Sequence, residues 1–101
     1  MEKLNKFCLF VGLNDKDTKY QTIPTEKAKD IVNTVCGDCS IQEITGYYTH
    51  DNGEKVKENT LKVELLFKEQ EQVLSYCQDL KKLLNQESII CEQEITNSML
   101  V

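Results

Sequence analysis

The chain has no arginine and no tryptophan, and only one proline, one histidine and four glycines in 101 residues. All twelve of its cations are lysines, set against seventeen acids for a net charge of −5. The missing guanidinium fork argues against nucleic-acid recognition, which relies on clustered cations and bidentate contacts to phosphates and base edges. So little proline and glycine leaves no linker or low-complexity tail, and no apolar run approaches membrane-spanning length. The opening Met1-Glu2-Lys3-Leu4-Asn5-Lys6 lacks the apolar stretch and cleavage site of a secretory signal. The expectation is a cytoplasmic protein that meets neither nucleic acid nor membrane.

What remains is the composition of a globular protein, 40% hydrophobic and 29% charged, in a chain long enough for one core and too short for two. We expect one domain over 1–101, with 96–101 as a flexible tail. The five cysteines, Cys8, Cys36, Cys39, Cys77 and Cys91, are odd in number. Most fall where an apolar side chain is wanted, so they read as free thiols serving as small hydrophobes in a reducing compartment.

Periodicity places the elements. Phe7 to Leu13 is apolar on both alternating faces and predicts a central strand. After a polar loop from Asn14 to Thr22, Thr25 reads as the N-cap of a helix carrying Ala28, Ile31, Val32, Val35 and Cys36, which Gly37 ends. Ser40 to His50 is a weaker strand whose apolar parity changes near Gly46, predicting a bulge. Asn52-Gly53 reads as a tight hairpin turn. Val56 to Lys68 alternates clearly through Leu61, Val63, Leu65 and Phe67, with Lys62, Glu64, Leu66 and Lys68 opposite. A second amphipathic helix spans Gln70 to Asn85, and a last strand spans Ser88 to Ile95.

This order is that of an α+β, ferredoxin-like βαββαβ sandwich, a four-stranded antiparallel sheet with two helices on one face. The first and third strands then lie at the sheet centre, and its other face is uncovered. On that face the first strand presents either Cys8 and Phe10 or Phe7, Leu9 and Val11, and the third strand presents Leu66; taking Cys8, Phe10 and Leu66, the face carries an apolar patch of the kind through which copies of a chain associate. A homo-oligomer through the open face is the expected assembly.

Several stretches resemble an uncharacterised bacterial family of ferredoxin-like domains: Phe10-Val11-Gly12-Leu13-Asn14, Gly46-Tyr47-Tyr48 with Gly53 after it, Glu58-Asn59-Thr60-Leu61, and Asn85-Gln86-Glu87-Ser88. The resemblance runs from Phe10 to about Ile90. It implies the same fold and carries no catalytic residues. Where the family pattern has tryptophan in the glycine-aromatic cluster, this chain has tyrosine.

Few residues offer chemistry. Cys36-Gly37-Asp38-Cys39 has redox spacing but sits at a helix C-terminus, where the dipole does not stabilise a thiolate. Zinc would need a second ligand pair with matching spacing, and Asn14-Asp15-Lys16-Asp17 lacks the later residues of a calcium loop. Neither a phosphate-binding glycine loop nor a nucleophile elbow is present, so no metal, cofactor or catalytic set is assigned. Tyr47, Tyr48, His50 and Glu58 share one hairpin, and Gln86 lies in the Asn85-Gln86-Glu87 loop, which we expect to approach it in the folded domain; these are the candidate ligand-binding residues. The leading reading is a non-catalytic, homo-oligomeric module that binds a small ligand or a protein. One alternative is a small enzyme with His50 or Glu58 as general base. Another is an acidic inhibitor or sequestering protein from a mobile element.

Overall fold

Side chains alternate across a strand, so burial on every second residue fixes which face of the sheet is inside. In the computed structural model, which describes residues 1–101, β1 (Glu2–Gly12) buries Phe7, Leu9 and Val11, and β3 (Lys55–Leu66) buries Leu61, Val63 and Leu65. The helices α1 (Thr25–Cys36) and α2 (Gln70–Leu83) close over this face with Ala28, Val32 and Cys36, and with Val73, Cys77 and Leu80. Together with Leu13 and Leu84 these side chains form one core cluster of 14 residues. With β2 (Ser40–Thr49) and β4 (Ile90–Ser98) the sheet order is β2-β3-β1-β4, antiparallel throughout. The fold is therefore the ferredoxin-like α+β sandwich, with β1 and β3 central and both helices on one face. No helix is long and apolar enough to cross a membrane.

Several local expectations need correcting. Residues 96–98 are not a tail: Thr96, Asn97 and Ser98 continue β4, paired with Leu4, Lys3 and Glu2 at the other end of β1. None of these residues belongs to the core cluster, so the ribbon's order comes from backbone pairing and leaves no hydrophobic alternation to read. No bulge forms at Gly46, since β2 and β3 stay in register from Ser40↔Glu64 to Thr49↔Lys55. The parity change has another cause. Ile41 packs against the core, whereas Ile44 and Tyr48, farther along an edge strand, belong to the opposite face.

The hairpin loop is Asp51–Gly53, closed by the His50 N–H to the Glu54 carbonyl at 2.8 Å, with Gly53 at φ 86 supplying the left-handed residue. Pro24, not Thr25, precedes α1, and the Thr25 hydroxyl accepts a bond from the Gln21 side-chain amide at 3.0 Å.

The open face differs most from expectation. Cys8 and Phe10 lie there half-buried, but charge separates them from Leu66. Lys6 Nζ is 3.0 Å from Glu64 and 3.6 Å from Glu94, and Lys62 Nζ is 3.8 Å from Glu64. Leu66 pairs with Lys6, and Cys8 with Glu64, so the apolar side chains do not form one patch at the sheet centre. The hydrogen bond between Lys6 and Glu64 pushes the lysine pKa up and the glutamate pKa down.

All five cysteines are free thiols. Burial pushes Cys36 up to about 12 and Cys77 up to about 11, so neither supplies a thiolate near neutral pH. Iodoacetamide at about pH 8 is expected to label the exposed Cys91 in the native protein and to spare Cys36 and Cys77 until unfolding. Native-state labelling of Cys36 by peptide mass analysis would contradict this. The core assignment predicts that Leu9→Ala lowers unfolding free energy in urea by about 3 kcal/mol, while Leu83→Ala, at a 54% exposed position, costs under about 0.5 kcal/mol.

Candidate functional site

Gly12, the last residue of β1, pairs with Thr60, while β3 starts at Lys55, so the β2–β3 hairpin projects past the end of the central strand. The chain leaving β1 turns there through the loop 14–22, and the corner between α2 and β4 lies beside that loop. Between hairpin, loop and corner is an open groove of about 1200 Å³. Phe10, Gly12, Tyr48, Glu58 and Thr60 line it from the sheet, Asn14, Lys16 and Tyr20 from the loop, and Gln86, Glu87 and Ile90 from the corner.

Asn14 joins these walls. Its backbone N–H donates to Glu58 Oε2 at 3.0 Å, and its carbonyl accepts from Gln86 Nε2 at 2.7 Å. The Glu58 carboxylate lies over Gly12, where an added Cβ would fall 2.5 Å from its oxygen. Only glycine leaves that space, so the bare end of β1 is a seat for the carboxylate.

The corner is tied to the loop as well. Asn85, in the left-handed region at φ 48, accepts the Lys16 N–H on its carbonyl at 3.0 Å. Its side-chain amide donates to Asp15 at 2.8 Å and to Asp17 at 2.9 Å. The Asn85 amide, with the Thr18 and Asp17 N–H groups, holds the Asp15 carboxyl below its ordinary range. These oxygens are thus engaged by amides, and no group of three or more His, Cys, Asp or Glu side chains is arranged to hold a metal ion.

Of the residues singled out in sequence, Tyr48, His50, Glu58 and Gln86 all line the one groove. The Tyr48 and His50 rings meet edge to face, with centroids 5.4 Å apart. Burial, then the nearby Glu58 carboxylate, pushes the Tyr48 phenol above its ordinary pKa. Tyr47 does not join them: it pairs with Lys57 on the other face of the hairpin and is 76% exposed.

Gln86 is the one buried polar residue, 8% exposed, and its amide also donates to the Leu84 carbonyl at 3.2 Å. Gly12 and Asn14 are parts of the groove that residue type does not mark, since Asn14 to Thr22 reads only as a polar loop. Their one signal in the sequence is the stretch Phe10 to Asn14, which carries the family resemblance.

No family model matches the chain, and no curated protein matches it. Among solved structures it is similar to a phage SAM lyase in complex with S-methyl-5'-thioadenosine, at 27% identity and a TM-score of 0.65, covering 90% of this chain and 80% of that one. The phage SAM lyase in its apo state is similar at 25% identity and a TM-score of 0.64, over 94% and 86% of the two chains. The B. subtilis GlnK–ATP complex is similar at 15% identity and a TM-score of 0.51, over 91% of this chain and 82% of that chain, a likeness of fold alone.

Proposed function

We propose that the groove binds S-adenosylmethionine and that the protein cleaves it, releasing S-methyl-5'-thioadenosine. The observation that carries this reading is the likeness, along 90% of the chain, to a phage SAM lyase holding that thioether. The groove supports it chemically. S-adenosylmethionine is a sulfonium cation with a flat adenine at one end and an α-ammonium and carboxylate at the other. Phe10 and Tyr48 offer aromatic surface for the base, Glu58 a seated counter-charge for the cationic part, and Lys16 and Lys57 cations for the carboxylate.

The step breaks the bond between the sulfonium sulfur and the γ-carbon of the amino-acid arm, and its electron pair goes to sulfur. A lyase adds no water, so the γ-carbon regains its fourth bond from the arm's own carboxylate oxygen, closing a lactone without an added reactant. Glu58 then acts as counter-ion and not as general base. The sulfonium becomes a neutral thioether, so a carboxylate beside it favours substrate over product.

The proposal includes self-association through the open sheet face around the half-buried Cys8, outside the groove. It keeps the expectation of a cytoplasmic, single-domain chain and adds small-molecule turnover to ligand binding.

Chromatography of S-adenosylmethionine incubated with the protein is expected to show S-methyl-5'-thioadenosine. Glu58→Gln should lower kcat/KM about a hundredfold while changing thioether affinity less than about threefold. Binding without product would return the protein to a non-catalytic module, and no binding would remove the proposal. Sedimentation of the purified protein is expected to show a dimer or larger species, and a monomer at high concentration would contradict the assembly.

A further inference from the structure

The geometry assigns Gln86 as a positioning residue for the Glu58 carboxylate, acting through the Asn14 backbone; its catalytic consequence rests on the function proposed above. Gln86 is the one buried polar side chain of the protein, and burying an amide costs free energy unless its hydrogen bonds are made. Both of its donors are used on backbone carbonyls, Asn14 at 2.7 Å and Leu84 at 3.2 Å. It therefore lines the groove without a free donor for a ligand. Its role is mechanical, to fix the α2–β4 corner to the first residues of the loop.

Gln86 is the tie from Asn14 to the α2–β4 corner. The strand ladder of β1 ends at Gly12, and the last regular tie before Asn14 is the Leu13 N–H to the Asn59 carbonyl at 2.9 Å. After it the chain bends into the loop, where Asn14 bridges to Gln21 and the Asp15 N–H donates to the Tyr20 carbonyl at 2.8 Å; these ties close the loop on itself, and the Gln86 bond and the Lys16 N–H to the Asn85 carbonyl fix it to the α2–β4 corner. The Asn14 N–H in turn donates to Glu58 Oε2 at 3.0 Å, above a glycine whose missing side chain leaves room for the carboxylate. The Glu58 side chain is long and half-buried, and without a fixed donor its carboxylate would sample several rotamers. The relay Gln86, Asn14, Glu58 sets where the counter-charge stands relative to the sulfonium.

The test uses Gln86→Met, which keeps volume and removes both donors. Amide hydrogen exchange at Asn14 is expected to rise about tenfold while Leu9 and Val63 keep their rates. The variant should lose about tenfold in kcat/KM for S-adenosylmethionine with affinity for S-methyl-5'-thioadenosine changed less than about twofold, and should cause no further loss in a Glu58→Gln background. If Gln86→Met does not fold, Gln86→Glu replaces the donors with acceptors at constant shape and is expected to shift the same readouts. Unchanged exchange at Asn14, an equal loss for substrate and thioether, or a full additional loss on top of Glu58→Gln would overturn the inference. A wild-type protein that releases no thioether removes the lyase reading instead, and exchange at Asn14 then decides by itself whether Gln86 holds the loop.

Discussion

The register of β1 against β3 is the constraint on which the other features depend. Phe7 opposite Leu65, Leu9 opposite Val63 and Val11 opposite Leu61 put six apolar side chains against the helices. The same pairing leaves Cys8, Phe10, Lys62 and Glu64 on the other face. Because side chains alternate with a period of two, a slip of one residue would turn the core out to solvent and bury the lysines. The register also places Gly12 opposite Thr60, which brings the Glu58 carboxylate over the bare end of β1. Fold and candidate site are set by the same hydrogen-bonded pair of strands.

The elements that pack on the core were legible because burial leaves a period in the sequence. Leu61, Val63 and Leu65, and the helical spacing of Val73, Cys77 and Leu80, identify their elements and faces without coordinates. Where order comes from backbone pairing, as in Glu2–Leu4 with Thr96–Ser98, exposed side chains carry no such period and the strand ends were misplaced. The open face was misjudged for a different reason. Its composition was readable, but the separation of Leu66 from Phe10 by the Lys6–Glu64–Lys62 charges is a property of cross-strand neighbours.

The site shows the same division. Tyr48, His50 and Glu58 line one groove because they share a hairpin, and Gln86 joins them because its loop falls near that hairpin in a ferredoxin-like fold. Tyr47 was included by adjacency and excluded by the pleat, which turns neighbours to opposite faces. Asn14 contributes to the site through its backbone N–H and carbonyl. Backbone groups belong to every residue, so residue type gave no indication of that role.

The groove brings together an anchored carboxylate, flanking aromatic rings and nearby lysines, the features on which the proposed binding of S-adenosylmethionine rests. The claim at the centre of this account is that adenosyl thioethers bind at the end of β1. Titration of the isotopically labelled protein with S-methyl-5'-thioadenosine, followed by backbone amide shifts, tests it most directly. The account predicts saturable shifts concentrated at Phe10, Gly12, Asn14, Tyr48 and Gln86; no shifts, or shifts centred on α1 or on the Glu2–Ser98 ribbon, would contradict it.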